Sequence, residues 1–595
     1  MLERIDGPRD LDGLSFAELA VLAQDCRELI IDTISARGGH LASNLGAVEL
    51  TLALHRVFDS PHDKLVWDTS NQTYTHKLVT GRREQFHSIR TPGGLSGFAE
   101  PRESEHDTLC AGHAGTGLGY ALGMSLALQD NYVVAIVGDG ALTCGTSYEA
   151  LNNIVHVRPK RLIVAVNDNG WSISENVGWL PQCTNPRTIW EEIGFRYVGP
   201  IDGHDQQALE DGLRAAKEIG APVILHVLTH KGRGLEAAEK NPSKFHQPGT
   251  PSAAAGTATR YTYSQVFAKT LIAMMERDPR IVGITAAMLE GTALGEVKKH
   301  FPDRVYDVGI AEEHAIIMAA GMAKAGLRPV VSIYSTFLQR SFDQLIHDVA
   351  LQSLPVTICI DRAGLVGDDG KTHHGIFDIS YTRVVPNMTV AAPRDENELQ
   401  HLLFTAIESN APFAIRYPRG MGIGIDLDPE PIALPIGRGE VLRGGGDVVL
   451  FAYGSMVPVA MDAAAILKDL GVDCGVVNAR FAKPLDTDLL AHVLQMTPRV
   501  LTIEEHLVTG GFGAAVLEAV HATGGDASRV RVHAIPDRFV EQAPQAQQRA
   551  SCGLDADGII DAVLRHFHDL PRRDAVAMHA GSRERSETSR ENVTW

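Results

Sequence analysis

The chain lacks paired cysteines: its seven, Cys26, Cys110, Cys144, Cys183, Cys359, Cys474 and Cys552, are scattered and form no C-x-x-C. Neither a disulfide framework nor a zinc site is expected, and a reducing cytoplasm is the expected compartment. No Lys/Arg-rich block stands out, and 54 basic against 73 acidic residues leave a formal net charge of −19. Nucleic acid and anionic membrane are therefore not expected partners. An anionic substrate has to be met by a few placed arginines, because the overall field repels it. No stretch approaches the roughly 18 apolar residues of a membrane span, and Met1 to Asp6 is not a basic region leading into an apolar run. A sizeable soluble enzyme or assembly subunit is expected.

What is present is ample core material. With 595 residues, 44% of them apolar, the chain is long enough for about three to four domains. Short β-branched runs at Tyr132 to Val137, Leu162 to Val166, Pro222 to Val227 and Pro329 to Tyr334 alternate with longer helical patterns, as buried parallel strands with crossover helices do. A Pro/Gly/Ala/Ser/Thr stretch from Gln247 to Arg260 predicts a linker, and Pro- and Gly-rich sequence from Asp426 to Asp447 predicts a second boundary. A third unit opens with a strand from Asp447 to Tyr453 and a helix through Leu470. The expected organisation is three doubly wound α/β domains at 1–250, 261–425 and 435–570, followed by a polar, disordered tail at 571–595.

The chemistry is carried first by Gly138-Asp139-Gly140-Ala141 after one strand and by Asn167-Asp168-Asn169 after the next. In a doubly wound sheet both strand ends open at the carboxyl edge, where ligands bind. The glycines let backbone approach a diphosphate, and Asp139 with the Asn169 amide oxygen offers the hard oxygen ligands that Mg2+ prefers. A lone Gly-Asp-Gly is usually an ordinary turn, so Asn169 at the end of the second strand carries much of the signal. Together they resemble the thiamine-diphosphate signature of a known enzyme class.

Longer motifs narrow the reading. Segments 38–46 (GGHLASNLG), 171–178 (WSISENVG), 199–205 (GPIDGHD) and 231–234 (KGRG) resemble the N-terminal domain of the 1-deoxy-D-xylulose-5-phosphate synthase family. Segments 310–314 (IAEEH), 334–340 (YSTFLQR), 361–364 (DRAG), Thr372-His373 and 416–420 (RYPRG) resemble its second domain. The resemblance spans about 30–565 and implies a transketolase-type enzyme, a homodimer, with thiamine diphosphate and Mg2+ as cofactors. It would condense pyruvate with D-glyceraldehyde 3-phosphate, releasing carbon dioxide and giving 1-deoxy-D-xylulose 5-phosphate.

Residue roles follow from the same resemblance. Glu312 would hydrogen-bond the aminopyrimidine and favour the imino tautomer that takes the thiazolium proton; on composition alone it would be an ordinary first-turn helix carboxylate. His40 and His373 would move protons and polarise substrate oxygens, although the adjacent His374 shows that residue type alone does not choose between them. Asn71, Gly112, His113, Ala114, Gly140, Ala141, Asn169, Lys231 and Leu235 would bind the cofactor. Asp139, Asn169 and the Trp171 backbone carbonyl would hold the metal. Arg362 and Arg419 would hold the acceptor's phosphate through guanidinium forks, with Ser43, Tyr334 and Asp369 completing the substrate pocket.

The sequence also departs from the family. Asn71 stands where a histidine is usual, Ala114 where serine, Leu235 where tyrosine and Trp171 where methionine. The segment after Gly178 reaches Ile193 to Phe195 without the usual long insertion. These changes raise two alternatives: a divergent thiamine-diphosphate transferase using another keto acid or aldehyde or transferring a ketol, and a binding or scaffold subunit with a decayed site.

Overall fold

The computed structural model describes residues 1–128, 130–178, 183, 185–249 and 260–570. The core of the expected linker (250–259), the polar tail (571–595), and positions 179–182 and 184 of the shortened segment lie outside the described residues.

The runs rich in β-branched residues form strands because their side chains are buried on both faces. Three sheets result, of five, seven and five strands. The first is wholly parallel, in the order Lys64–Trp67, Val133–Gly138, Leu162–Asp168, Val223–Leu228, Arg196–Asp202. Its register sets Gly138 opposite Asn167, so the turns carrying Asp139 and Asn169 leave the same sheet edge side by side. After the first of these strands-with-turns the chain enters the helix Gly145–Val157.

The second sheet is centred on Thr357–Ala363, with Phe413–Pro418 on one side and Arg328–Tyr334 on the other. Tyr334 is in register with Asp361, which brings the ends of both strands, and hence Tyr334 and Arg362, to one place. Ile281–Thr285 and Val305–Asp307 extend one flank, and Thr389–Ala391 the other.

The third sheet runs Glu440–Arg443, Cys474–Asn478, Val448–Ala452, Val500–Leu507, Val530–Ile535, parallel except for the first strand. The helix Met456–Asp469 follows Val448–Ala452 as its pattern predicts. This unit is less separate than its sequence boundary implies. Phe481–Lys483, well inside it, pairs antiparallel with Thr389–Ala391 and becomes the edge strand of the second sheet. Val449, Phe451, Tyr453 and Phe512 share one apolar core with Ile284, Val331 and Ile358. At about 25 cal/mol per Å² of apolar surface buried, a core shared in this way couples the two units mechanically.

Candidate active site

The carboxyl edges of the first and second sheets face each other across a cavity of about 360 Å³, a size suited to a cofactor or small substrate. On the first-domain side, Asp139 opens a short 3-10 turn that ends at Thr143. Its Oδ2 accepts hydrogen bonds from the Gly170 N–H (2.7 Å) and the Asn176 amide (2.8 Å). Its Oδ1 is buried with no hydrogen-bond partner among the described residues, an arrangement that suits a cation ligand. Burial, with Asp168 alongside, pushes the Asp139 carboxyl up, the response expected of an anion that lacks its counter-charge. Asn169 and Trp171 line the same end, with the Trp171 N–H 3.0 Å from the Asn169 side-chain oxygen. A Cβ at Gly140 would lie 2.8 Å from the Ser172 Cβ, so backbone there approaches as closely as the site permits. Ala141 follows it on the cavity wall.

Gly112 and Ala114 line the wall beyond. Their segment is fixed by Asp68, whose carboxylate accepts the N–H groups of Gly115 and Gly117 at 2.8 to 3.0 Å. His113 sits just behind, its Nε2 2.9 Å from the Thr372 carbonyl; because a carbonyl only accepts, this nitrogen carries the proton.

Facing this wall, Glu312 begins the helix Glu312–Lys324. It is 2% exposed, and its Oε2 has no hydrogen-bond partner among the described residues; Arg340 approaches it at 3.8 Å. Burial pushes this carboxyl up to about 7, against the pull of Arg340. The residues present therefore fit thiamine diphosphate with Mg2+. An unpaired anion ligand stands at the diphosphate end and a half-satisfied, protonatable carboxyl at the other, across a gap of suitable volume.

The histidines separate clearly. His373 stacks on Phe98 (centroids 5.1 Å apart) and meets Phe337 edge-on; it lines the cavity, as does His40. Burial lowers both imidazoles to about 4, so each is a neutral acceptor or donor at working pH. His374 has a different task. Its Nδ1 accepts the Val366 N–H at 3.1 Å and its Nε2 donates to the Val540 carbonyl at 3.1 Å, which spends both ring nitrogens on structure.

On the substrate side, the Arg362 guanidinium lies 3.9 Å over the Tyr334 ring. Arg362 has a φ of 57°, a left-handed conformation uncommon outside functional sites. Arg419 donates to the Val366 carbonyl at 2.6 Å and is half-buried, close to Arg362 and Asp369 at the cavity's edge. Asp369 is bound by Arg90 (2.8 Å) and Gln247 (2.8 and 2.9 Å). Burial alone would raise its carboxyl, but the Arg90 guanidinium holds it well below the usual range. Ser43 and Asn71 line the cavity. Lys231 lies one layer back, donating to the Ser172 carbonyl and, at 3.1 Å, meeting His246 Nδ1; burial lowers its ammonium to about 7.

Leu235 lies outside the cavity lining and packs, half-buried, against the apolar cluster of Leu2, Leu22, Leu41 and Leu45. A leucine gains more from that cluster than from a polar cofactor wall. Of the departures, Asn71, Ala114 and Trp171 touch the site and Leu235 does not.

The structure also brings in residues outside the expected set: His246, Gln247, Phe98, Arg90 and Arg340. His246 lines the cavity 5.5 Å from the His40 ring. Composition places Gln247 in the linker, yet the carbonyl of its neighbour Pro248 accepts the Gly39 N–H and its own amide binds Asp369. The linker's first residues are therefore part of the active-site wall.

Known proteins resemble this chain along nearly its whole length. Residues 2–185 and 181–229 match the family profile described as 1-deoxy-D-xylulose-5-phosphate synthase. Residues 259–422 match the transketolase pyrimidine binding domain, and 437–559 the transketolase C-terminal domain. Proteins named 1-deoxy-D-xylulose-5-phosphate synthase from Desulforudis audaxviator and Halothermothrix orenii are 47% and 44% identical, over 94% and 95% of this chain and 96% and 97% of theirs. That from Pelotomaculum thermopropionicum is 46% identical over 95% of this chain and 97% of its own. With near-complete coverage and three matching domains, this chain belongs to the 1-deoxy-D-xylulose-5-phosphate synthase family.

Proposed function

We propose that this enzyme condenses pyruvate with D-glyceraldehyde 3-phosphate, forming one carbon–carbon bond and releasing carbon dioxide, to give 1-deoxy-D-xylulose 5-phosphate. Such a product would supply isoprenoid and thiamine precursors. The observation that carries the reading is one cavity lined by two acids that each keep an unsatisfied buried oxygen, Asp139 Oδ1 and Glu312 Oε2, with the Arg362 guanidinium in the same lining. Thiamine diphosphate, when bound, supplies a thiazolium carbon that adds to a keto carbonyl and takes up the electrons left by decarboxylation.

This chain's residues do the rest. Asp139, the Asn169 amide oxygen and the Trp171 backbone carbonyl hold Mg2+, while Gly140, Ala141, Asn71, the 112–114 segment and Lys231 enclose the diphosphate and thiazolium. Glu312, whose burial lifts its carboxyl to about 7, can hold a proton toward the aminopyrimidine and release it when the ring needs it. His40 and His373, neutral in their apolar surroundings, hold or deliver a proton at the substrate's carbonyl oxygen. Arg362 and Arg419 neutralise the acceptor's phosphate, and Tyr334, Ser43 and Asp369 orient its hydroxyls.

A homodimer is the proposed assembly. Tyr120 and Tyr148, on the packed helices Gly117–Ala127 and Gly145–Val157, are large and exposed, and would be covered in such an assembly. Cytoplasmic residence is supported by cysteines that are all free thiols. Among the described residues no helix is long and apolar enough to cross a membrane. The test is carbon dioxide release from pyruvate by protein loaded with thiamine diphosphate and Mg2+. Release that rises with added glyceraldehyde 3-phosphate, with the five-carbon product formed in equal amount, is expected; no product would overturn the proposal.

A further inference from the structure

The third domain lines no part of the cavity, yet its side chains hold the stretch on which the acceptor-side arginines depend. Leu365, Val366 and Gly367 follow the strand that ends at Ala363 and have irregular backbone. Every one of their backbone N–H and C=O groups is met by a side chain. The Leu365 N–H goes to Glu505 (3.2 Å), and the Leu365 carbonyl accepts from Gln545 (2.6 Å). The Val366 N–H goes to His374 (3.1 Å), and the Val366 carbonyl accepts from Arg419 (2.6 Å). Gly367 is held at both groups by Gln548, whose Oε1 accepts its N–H and whose Nε2 donates to its carbonyl, each at 2.9 Å.

Gln548 is 1% exposed, and its second amide hydrogen is taken by the Glu541 carbonyl at 2.8 Å. Both amide hydrogens and the amide oxygen are therefore engaged in one geometry. Gly367 has a φ of 94°, and a Cβ there would fall 3.6 Å from the Ala543 carbonyl and 3.9 Å from the Arg419 guanidinium. The peptide is thus clasped between the third domain and Arg419. Glu505 is anchored in turn by Arg549 at 2.8 and 2.9 Å. It presses so closely on Gly364 that a Cβ there would lie 2.7 Å from its carboxyl carbon, two residues beyond Arg362.

We propose that Gln548 is a positioning residue for acceptor binding: by fixing Gly367 it fixes the Val366 carbonyl, which orients Arg419 toward the phosphate of the incoming aldehyde. The third domain would then set the enzyme's preference for a phosphorylated acceptor without touching substrate. The inference rests on the reading of Arg362 and Arg419 as the phosphate site.

The experiment measures KM for D-glyceraldehyde 3-phosphate, KM for pyruvate and turnover of unphosphorylated D-glyceraldehyde in Gln548→Leu, Arg419→Met and the double variant. Gln548→Leu is expected to raise KM for the phosphorylated aldehyde about tenfold, the scale of the hydrogen bonds lost. KM for pyruvate and turnover of the unphosphorylated aldehyde should stay unchanged. In the double variant the two effects should combine to less than their product, because both act on one guanidinium.

If Arg419→Met narrows the gap between the two aldehydes and Gln548→Leu leaves it intact, the positioning role is overturned. If Arg419→Met itself leaves the gap intact, the phosphate-site reading falls, and the inference with it. Should Gln548→Leu not fold, Gln545→Ala, at a half-buried position, removes only the bond to the Leu365 carbonyl. It is expected to raise the same KM about threefold; an equal rise in both substrates' KM would count as general loosening and overturn the role.

Discussion

Lys371, two residues before His373, is ion-paired with Glu100 of the first domain, and Glu541 of the third approaches the same ammonium at 3.7 Å. Arg102 closes the network, 3.1 Å from Glu100 and 2.7 Å from Glu541. The loop bearing Asp369 and His373 is thereby tied to both flanking domains by alternating charges. The central pair is mostly shielded, with side chains 19% and 8% exposed, so salt screens it less than a surface pair.

Lys371→Met should therefore loosen the His373 loop while sparing the cofactor's ends of the cavity. A fall in kcat/KM of about tenfold is expected, with thiamine diphosphate affinity by titration calorimetry unchanged. Exchanging the charges, Glu100→Lys with Lys371→Glu, should not restore it, because each exchanged charge would face its like on Arg102 or Glu541. Burial alone would raise the Glu100 carboxyl, but Arg102 and Lys371 hold it down to about 2, from an ordinary value of 4.5. A depressed carboxyl contributes stability that is fully present above its unfolded value and is lost as pH falls through the folded one. The Tm gap between wild type and Lys371→Met should thus be constant from neutrality to about pH 5 and shrink below the ordinary carboxyl value. A gap that widens in acid would contradict the pairing.

Glu312→Gln keeps the shape of the side chain but cannot take up or release a proton. Turnover should fall by about two to four orders of magnitude while cofactor still binds, and near-normal turnover would refute the assignment. The stability effect has the opposite sign to that of Glu100. Burial raises the Glu312 carboxyl from 4.5 to about 7, so between those values the folded chain holds a proton that the unfolded chain has lost. Its stability contribution is complete below 4.5 and declines as pH rises to about 7. The Tm of cofactor-free Glu312→Gln relative to wild type should accordingly increase from pH 5 to pH 8, and no such trend would mean the carboxyl is already ionised in the fold.

Much of this architecture was legible in the sequence wherever one short-range rule governs. The buried run from Val133 to Gly138 and its Gly-Asp-Gly turn follow from local pattern, and so does the strand that places Asn169 beside it. Partners brought together by long-range packing were not legible without a motif to mark them. Arg90 lies 279 positions from Asp369, and no spacing links the two. His246 and Gln247 sit at the edge of a Pro/Gly-rich stretch whose composition signals only a linker. Leu235 illustrates the converse: a motif brings it to attention, and what fixes its side chain is the apolar cluster beneath it, which the motif does not announce. Phe481–Lys483 crosses to the second sheet because that sheet's edge offered unpaired backbone, which no property of the strand itself announces.

Asn71 is the departure best placed to matter, because it lines the cavity and its carbonyl accepts from Asn44 at 2.8 Å, the same amide that binds the His40 carbonyl at 2.7 Å. The backbone of position 71 is fixed by that bridge whatever its side chain. Asn71→His should therefore be tolerated, should keep pyruvate and glyceraldehyde 3-phosphate as the preferred pair, and should shift kcat by no more than about tenfold, the range of an added or lost general acid–base contact in a site that already has two. A change of preferred keto acid or acceptor in a substrate panel would show instead that position 71 selects the substrate.

Gly291 offers a sharper test of the acceptor pocket. A Cβ there would lie 1.6 Å from the Tyr334 hydroxyl oxygen and 2.7 Å from its Cζ, far inside contact distance. The tyrosine has little room to retreat, being 6% exposed, stacked on Phe337 at 5.9 Å and covered by Arg362 at 3.9 Å. Gly291→Ala must therefore either drive Tyr334 out of the pocket, releasing Arg362 from its ring, or shift the 288–293 segment. Both outcomes raise KM for the aldehyde, and overpacking of this kind costs about 1–3 kcal/mol of stability. Adding Tyr334→Phe removes the closer clash and leaves the Cζ contact, so the double variant should recover part of the lost Tm while KM stays high for want of the hydroxyl. If Gly291→Ala instead binds the aldehyde normally, the Tyr334 hydroxyl does not take part in acceptor binding, and Arg362 keeps its place without the ring.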